Sequence, residues 1–480
     1  MLFNSFAFLA FFPTVVALYY LTPHRFRWLL LLAASYYFYG CWKVAYLSLI
    51  VISTAVDYVV GLGLGRARRI RDRRLLLAMS LTVNLGLLFA FKYWGFFAVS
   101  TTAVLGAFNL AAHFPRLDVL LPVGISFYTF QTLSYTIDVY KGQRPPERHL
   151  GIFAVYVAFF PQLVAGPIER STHLLPQFLR EHHFDRARLT AGLRLMLWGL
   201  VKKVVIADRL ALYVDRIYGD APGHDGVTLL VASVLFGFQI YCDFSGYSDI
   251  AIGAARVLGF DLMINFRQPY FSRSIREFWQ RWHISLSTWF RDYVYIPMGG
   301  NRLGTSRMYL NLLATFLVSG LWHGASWTFV VWGGLHGLYL TFSILTERPR
   351  AALARTAGLK RVPGLVTAWR IFATNVLVML AWVFFRADSV PDAMSILGRI
   401  GGDLFNAAAW SGLPLVFGGG GDLFFLGLMI AVLSAYDWSL WRGTSLLQRP
   451  RAALLDVSLQ FWILVVYGVF ANQQFIYFQF

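Results

Sequence analysis

Apolar residues form long runs along this chain, separated by short polar or charged segments. The runs cover residues 6–22, 27–41, 45–63, 75–98, 119–137, 150–166, 189–206, 228–241, 309–346, 368–386, 413–435 and 457–476. A helix needs about 20 such residues to cross a bilayer, and the run at 309–346 is long enough for nearly two crossings. The pattern predicts an all-α integral membrane protein, a multi-pass helical bundle with roughly 11–13 membrane segments.

Composition agrees with this prediction. Of 480 residues, 58% are hydrophobic and 17% aromatic, and the mean hydropathy is +0.57, far above that of soluble globular proteins. The first run lacks a basic leader and a small-residue cleavage site, so we expect a retained span rather than a signal peptide. Cys41 and Cys242 are the only cysteines and supply neither a disulfide framework nor a zinc ligand set.

The net charge of +18 has a topological explanation, because Lys and Arg gather in the cytoplasmic loops of membrane proteins. The basic clusters lie at 66–74, around Arg144 and Arg148, at Lys202 and Lys203, and at 267–291, 348–361 and 442–451. We expect them to contact anionic lipids, and we expect no nucleic-acid partner. The cluster at 267–291 is the candidate for binding a phosphate-bearing substrate.

The distribution of polar residues divides the chain into three parts. Residues 1–140 form simple spans, which predict an N-terminal transmembrane scaffold. From about 141 to 300, prolines, polar residues and aromatics mix into segments that are poor membrane spans, which suggests a pocket. We therefore expect residues 141–346 to form a core with interfacial or re-entrant helices that would hold a catalytic site. Residues 347–480 are expected to form C-terminal transmembrane helices.

The stretch at 273–300 carries an amphipathic pattern and the first candidate histidine, His283. Ser274 and Glu277 form a capping box that predicts a helix start, and Pro297 precedes two glycines that should end the helix or its continuation. Aromatic residues at helical spacing predict an interfacial helix. A lone histidine on such a helix is usually a packed residue, but two more histidines follow in the next apolar run.

His323 and His336 lie in the apolar stretch SGLWHGASWTFVVWGGLHG at 319–337. In one straight helix they would be about 220° apart around the axis and roughly 20 Å apart along it. Five glycines in this stretch allow a break that would bring the two rings together. The spacing matches no HExxH or HxH motif and no carboxylates lie nearby, so we expect no metal site.

A general base fits His323 better, because imidazole titrates near neutral pH and can remove a proton from an attacking hydroxyl. Trp322 and Trp327 are expected to form a water-poor aromatic wall that protects an activated acyl group. Asp243 and Asp249 interrupt another apolar run, and their expected partners are an arginine of 267–291 or one of the histidines. A buried ion pair and a catalytic role remain open for Asp243.

Six motifs resemble those of the membrane-bound O-acyltransferase family, in its bacterial branch of alginate O-acetyltransferases and teichoic acid D-alanyl transfer proteins. They are FFPQLVAGPIER (159–170), WGLVKKVVIADRL (198–210), YCDFSGYSDIAIG (241–253), FWQRWHISLSTWFRDYVYIPMGG (278–300), LWHGASWTFVVWGGLHG (321–337) and FIYFQF (475–480). The resemblance covers nearly the whole chain. It implies a helical bundle around a central tunnel, with the essential histidine deep inside.

Carried over motif by motif, the resemblance assigns His323 as the catalytic histidine and His283 as its companion, with His336 a less certain participant. It implies O-acetylation of an extracellular polysaccharide from a cytoplasmic donor, most simply acetyl-CoA, with no bound cofactor. It further implies a periplasmic acetyltransferase-type partner protein and a bacterial inner-membrane location. Supporting roles are expected for Asp243, Trp322 and Tyr247, while Arg276 and Arg281 are candidates for binding the donor phosphates.

Three alternatives remain open at the level of the sequence. The enzyme can transfer D-alanyl or another acyl group to a cell-envelope polymer. The chain can instead be a proton-coupled transporter that uses His323 and the aspartates as a relay, although no inverted repeat is evident. It can also be a non-catalytic scaffold that recruits a separate acetyltransferase, which predicts that His323 is replaceable without loss of acetylation.

Overall fold

The computed structural model describes residues 1–110, 114–115, 117, 120–356, 361–444, 450–470 and 475–476, with the backbone alone at 353–354 and 450–455. Within these residues the chain is helical and contains no β-strand, which confirms the predicted all-α fold. Contacts divide it into two compact units. The first unit comprises Met1–Trp198 with Tyr247–Met263, and the second comprises Gly199–Gly246 with Ile264–Ile476. The functional division predicted at residues 140 and 346 stays a prediction.

The first nine helices are α1 (Phe6–Leu21), α2 (His24–Gly40), α3 (Leu47–Arg66), α4 (Ile70–Leu88), α5 (Trp94–Ala107), α6 (Ile125–Tyr140), α7 (Leu150–Ala158), α8 (Ser171–Phe178) and α9 (Arg186–Leu200). The later helices are α10 (Asp208–Gly219), α11 (Gly226–Leu258), α12 (Ile275–Arg281), α13 (Ile284–Phe290), α14 (Thr305–His323), α15 (Trp327–Leu345), α16 (Glu347–Thr356), α17 (Pro363–Arg386), α18 (Val390–Asp403), α19 (Ala407–Val416), α20 (Gly420–Trp441) and α21 (Pro450–Tyr467). Single 3₁₀ turns lie at Val44–Tyr46, Ala221–Gly223 and Pro269–Phe271, and π-helical turns lie at Phe89–Tyr93, Val201–Ala207 and Arg291–Tyr295.

Six helical segments among the described residues are long and apolar enough to cross a membrane. They are Val44–Arg66, Ile70–Ala107, Gly226–Leu258, Trp327–Leu345, Pro363–Arg386 and Gly420–Trp441. Shorter apolar helices lie at Phe6–Leu21, Ala407–Val416 and Asp456–Tyr467. The chain is therefore a multi-pass membrane protein, and the full count of roughly 11–13 segments stays a prediction.

A buried polar network joins three helices in the first unit. The Asp57 carboxylate on α3 accepts hydrogen bonds from Asn84 Nδ2 on α4 at 2.9 Å, from Thr136 Oγ1 on α6 at 3.0 Å, and from the Ser80 hydroxyl. A carboxylate inside an apolar bundle is costly unless such donors surround it. The network holds α3, α4 and α6 together, and the scaffold role of residues 1–140 stays a prediction.

Candidate active site

The apolar run at 309–346 folds as an antiparallel hairpin of α14 and α15, joined at residues 324–326. The helices cross where two glycines face each other. A Cβ added to Gly320 would overlap the carbonyl of Phe329, and one added to Gly333 would overlap the carbonyl of Phe316. Small residues allow two helix backbones to approach this closely. The hairpin confirms the predicted break near the glycines.

The hairpin brings His323 and His336 to the same aromatic ring. His323 is the last residue of α14, and His336 lies in the middle of α15. Each imidazole centroid lies 5.0 Å from that of Trp332, and all three residues are buried. The separation of roughly 20 Å that a straight helix would impose is therefore removed by the turn.

His283 lies at a break between two short helices. As predicted, Ser274 caps α12, since its hydroxyl accepts a hydrogen bond from the Glu277 amide at 3.1 Å. The single amphipathic helix expected to run on from there is wrong, because α12 ends at Arg281 and α13 begins at Ile284. His283 itself has φ +43° and ψ 54°, a left-handed conformation that continuous α-helix cannot contain.

Asn265 fixes this break from the neighbouring loop. Its backbone carbonyl accepts a hydrogen bond from the Ile284 amide at 3.0 Å, and its side-chain oxygen accepts one from the Ser285 hydroxyl at 2.7 Å. Asn265 is itself buried, so these bonds are shielded from water. Sequence reasoning missed Asn265, because its effect depends on a contact between residues that are distant in sequence.

The break places His283 beside His323. The two imidazole centroids are 6.1 Å apart, and the ring of His283 lies 5.9 Å from that of Trp322. The histidine cluster, defined here as His283, His323 and His336, is buried throughout, with exposures of 0%, 3% and 0%. The structure thus brings together all three histidines singled out in the sequence.

Burial also decides the charge of His283, which lies outside the six candidate membrane-spanning helices. Removal of the ring from water lowers the pKa of His283 well below its usual value, because desolvation disfavours the charged imidazolium. The ring is therefore neutral at physiological pH. A neutral imidazole can accept a proton or donate a hydrogen bond from its N–H, and both abilities are needed in acyl transfer.

A tryptophan orients His336. The indole Nε1–H of Trp279 on α12 donates to His336 Nδ1 at 3.3 Å, and the ring centroids are 5.0 Å apart. Since Nδ1 accepts a hydrogen bond, the proton of the neutral ring lies on Nε2. Among the residues that the structure describes, His336 Nε2 has no hydrogen-bond partner. The sequence gave no signal for this contact.

Aromatic side chains surround His323. The ring centroids of Trp322 and Trp332 each lie 5.0 Å from that of His323, and the centroid of Phe385 on α17 lies 5.5 Å away. Trp322 was predicted in this wall. Trp327 was also predicted there, but its side chain is 57% exposed, so Trp332 and Phe385 supply the buried surface instead. Such surroundings exclude water from a reacting acyl group.

A cavity of about 440 Å³ lies next to the histidine cluster in the second unit. Leu312, Phe316 and Ser319 of α14 line it, and His323 continues the same helical face because it follows Ser319 by four residues. Trp279 lines the cavity from α12 and also donates its indole N–H to His336 Nδ1. The cavity thus reaches the side chains that hold the cluster.

Asp243 has different partners from those predicted. Its Oδ1 lies 2.5 Å from Lys203 Nζ, and its Oδ2 accepts a hydrogen bond from the Ile476 amide at 2.8 Å. Lys203 Nζ also lies 2.7 Å from Asp208 Oδ1. The expected pairing with an arginine of 267–291 or a histidine is therefore wrong, and a buried ion pair is the role that the geometry supports.

The same contacts correct the interpretation of one basic cluster. Lys202 and Lys203 were grouped with the charges that set topology and contact lipid, but both side chains are buried. Lys202 donates a hydrogen bond to the Ser245 hydroxyl at 3.0 Å, and Lys203 forms ion pairs with two carboxylates. Sequence alone could not separate them from surface charges, because their acceptors lie on other elements.

The predicted clusters at 348–361 and 442–451 and the motif at 475–480 lie partly outside the described residues.

Three other residues predicted to act at the site, Tyr247, Arg276 and Arg281, have different surroundings. Tyr247 belongs to the first unit, where it is buried and its ring lies 4.8 Å from that of Phe3. Arg276 lines the cavity of about 440 Å³. Arg281 instead forms an ion pair with Glu277 at 3.0 Å and donates to the carbonyl of Arg267. The proposed supporting role of Tyr247 stays a prediction.

The GPIER motif contributes a buried carboxylate to the first unit. Glu169 is fully buried and accepts a hydrogen bond from the Met263 amide at 2.5 Å, and its other oxygen lies 2.8 Å from His173 Nδ1. These bonds connect the start of α8 with the segment that follows α11. The motif thus has a structural role within this unit.

Comparisons with known proteins agree with the geometry. The model of the membrane-bound O-acyltransferase (MBOAT) family matches residues 148–385, which contain the whole histidine cluster. The chain is 42% identical over 410 residues to the probable alginate O-acetylase AlgI of Azotobacter vinelandii, covering 85% of this chain and 78% of the relative. It is 37% identical over 403 residues to the peptidoglycan O-acetyltransferase of Helicobacter pylori, covering 78% and 73%.

A more distant relative is the teichoic acid D-alanyltransferase of Streptococcus thermophilus, 30% identical over 281 residues that cover 55% of this chain and 68% of the relative. The matches to acetylating relatives are thus longer and closer than this one. The buried histidines, the adjoining cavity and these similarities together place the chain in the membrane-bound O-acyltransferase family, and it is an O-acyltransferase.

Proposed function

We propose that this enzyme takes an acetyl group from a cytoplasmic donor, acetyl-CoA, and passes it across the membrane for O-acetylation of an extracellular or periplasmic polysaccharide. The names of two relatives support this proposal, since one is a probable alginate O-acetylase and the other a peptidoglycan O-acetyltransferase. The observation that carries it is the buried pair of His283 and His323, 6.1 Å apart and enclosed by aromatic rings.

In the proposed reaction, His323 accepts the proton of the acceptor hydroxyl as its oxygen attacks the thioester carbonyl. An ester bond forms, the carbon–sulfur bond breaks, and the thiolate leaves and takes up the proton from His323. His283, held neutral by burial, donates its N–H to the carbonyl oxygen as negative charge develops there. Trp322 is a further candidate donor to that oxygen, and Asp243 has a supporting role through its buried ion pair with Lys203.

The proposal also includes the location of the enzyme, its partner protein and the residues that bind the donor. We place the enzyme in the bacterial inner membrane, with anionic lipids at its arginine clusters. A periplasmic acetyltransferase-type partner protein would complete transfer to the polysaccharide. Arg276 contributes to donor phosphate binding, while the ion pair of Arg281 with Glu277 weakens the case for Arg281. No resident cofactor takes part in these steps.

The test is the ester-linked acetyl content of secreted and envelope polysaccharides, measured by NMR in cells that express wild type or His323→Ala at matched membrane levels. His183→Ala is the control, because His183 is exposed and belongs to the first unit. Loss of acetyl from one polymer in the His323 variant alone supports the proposal and identifies the acceptor. Loss of ester-linked D-alanine instead would establish D-alanyl transfer, and unchanged acylation would remove His323 as the base.

A further inference from the structure

The backbone break at His283 fixes the position of its Cα but not the plane of its imidazole. The χ2 torsion of histidine is broad and roughly two-fold, so the plane of the ring depends on the side chains packed against it. In the proposed reaction the N–H of His283 points at the carbonyl oxygen, and a hydrogen bond weakens steeply when the donor is misaligned. A neighbouring side chain that fixes this plane would therefore affect the reaction.

Phe244 on α11 packs directly against the imidazole of His283. The two ring centroids are 4.6 Å apart and the ring planes meet at 87°, which is an edge-to-face contact. The centroids of Trp322 and His323 lie farther from His283, at 5.9 and 6.1 Å. Phe244 is 1% exposed, so the contact is in the close-packed interior. At this separation the imidazole cannot turn about χ2 unless the phenyl ring moves.

Two further rings hold Phe244 in place. Phe266, in the loop before α12, meets Phe244 edge to face, with centroids 5.1 Å apart and planes at 87°. Phe266 in turn meets Trp282 edge to face, at 5.0 Å and 88°. Since Trp282 directly precedes His283 in the chain, the contacts close on themselves. We refer to Phe244, Phe266 and Trp282 as the aromatic clamp of His283.

The aromatic clamp is anchored to two other helices through Trp282. The indole ring is fully buried, stacks on Phe278 of α12 at 5.4 Å and lies 5.1 Å from Trp382 of α17. At the other end of the clamp, Phe266 directly follows Asn265, whose side chain accepts the hydrogen bond from Ser285. One short loop thus fixes both the backbone break at His283 and the rings around its side chain.

Phe244 belongs to the motif YCDFSGYSDIAIG at 241–253, and the chemistry described so far gives this phenylalanine no part. A hydrogen-bond donor stabilises developing charge most effectively when it is held in place before the reaction begins. We propose that Phe244 is a positioning residue, which holds the imidazole plane of His283 so that its N–H points at the reacting carbonyl. This role rests on the function proposed for His283 above, whereas the packing of the rings does not.

Two measurements on the full chain test this role in Phe244→Leu, which keeps a buried apolar side chain and removes the ring. The first is the solid-state NMR order parameter of the ¹³C-labelled His283 ring in proteoliposomes, with the signal assigned from its loss in His283→Asn. The second is the rate at which ester-linked acetyl accumulates in polysaccharide, at matched membrane levels, for both single variants and the double variant. Phe417→Leu is the control, because Phe417 is equally buried in the second unit, where it packs on Tyr213.

We expect the His283 ring to become mobile in Phe244→Leu and to stay rigid in Phe417→Leu. Acetylation should fall about tenfold in Phe244→Leu, because small displacements of a group that acts in the transition state cost large factors in rate. The same substitution should have no further effect in the His283→Asn background, since a residue that acts through His283 has nothing left to position there.

Three results would overturn the positioning role. They are a His283 ring that stays rigid in Phe244→Leu, a mobile ring with acetylation at the wild-type rate, and the same fold-loss of acetylation with and without the imidazole. Full acetylation by His283→Asn is a different failure. It would remove the chemistry proposed for His283, and the need to position it, even if the ring became mobile as expected.

Discussion

The imidazole of His283 lies 6.1 Å from that of His323, although one residue precedes α13 and the other ends α14. Both residues lie at helix ends rather than within a continuous helix, so the chain departs from regular helix next to each of them. His283 adopts a left-handed conformation, and His323 directly precedes the turn of the hairpin. The geometry of the pair therefore depends on two backbone breaks, and both can be tested by substitution.

The close approach of α14 and α15 at Gly333 gives the first prediction. Gly333→Ala should push α15 away from α14, because the added methyl group would overlap the carbonyl of Phe316. We expect a loss of about 1–3 kcal/mol in stability, typical of overpacking, and reduced acetylation as His323 and His336 separate. Gly334→Ala is the matched control, since its methyl group would meet Leu317 at an ordinary 3.5 Å. Equal thermal stability and acetylation in the two variants would contradict the crossing.

The conformation of His283 gives a second prediction. Asn tolerates a left-handed backbone, whereas a β-branched residue there is strained. We expect His283→Asn to keep the thermal stability of wild type and His283→Val to lose stability beyond the loss of the ring. In the stable Asn variant, acetyl transfer should fall about 10²–10³-fold, as when an oxyanion donor is removed. Full activity of His283→Asn would leave the imidazole without a part in the chemistry.

The Trp279–His336 hydrogen bond can be isolated by a double-mutant cycle. Trp279→Phe removes the indole donor and keeps an aromatic ring, and we expect it to cost about 0.5–1.5 kcal/mol. His336→Phe removes the acceptor. If the bond orients His336, the double variant should lose less stability than the sum of the single variants. Thermal unfolding in detergent measures the coupling, and strictly additive losses would show that the two side chains are independent.

The buried charges around Lys203 predict which of two substitutions lowers the stability of the protein more. Lys203→Met leaves both Asp208 and Asp243 without their cation, and removing one partner of a buried pair costs about 3–5 kcal/mol. Asp243→Asn is expected to be milder, because Lys203 keeps Asp208 and the Asn oxygen can still accept from the Ile476 amide. Folded yield after size-exclusion chromatography and the unfolding temperature check the order.

The same pair of variants separates structure from catalysis at Asp243. If Asp243 acts only through the ion pair, acetylation by Asp243→Asn should follow the amount of folded protein in the membrane. Loss of activity at a normal folded level would instead give Asp243 a part in the reaction. The reverse order of stability, with Asp243→Asn worse than Lys203→Met, would show that Lys203 is not the shared cation.

Local patterns in the sequence were sufficient for several features. Apolar runs predicted an all-α membrane protein, the Ser274–Glu277 capping box predicted the start of α12, and the glycines at 320–337 predicted a break between the histidines. Each depends on residues close together in the chain, where helix periodicity and capping chemistry act directly. The prediction that His323 and His283 are site residues also came from motifs that can be read locally.

Tertiary structure decided the features that depend on partners distant in sequence. Asn265 breaks the helix at His283, Trp279 orients His336, and Lys203 takes the place of the arginine expected beside Asp243. A residue's type shows that it needs a hydrogen bond or an opposite charge, but not which of many candidates will satisfy that need. The choice follows from which helices pack together, because burial makes an unmatched polar group costly and leaves only the arrangement in which nearly all are paired.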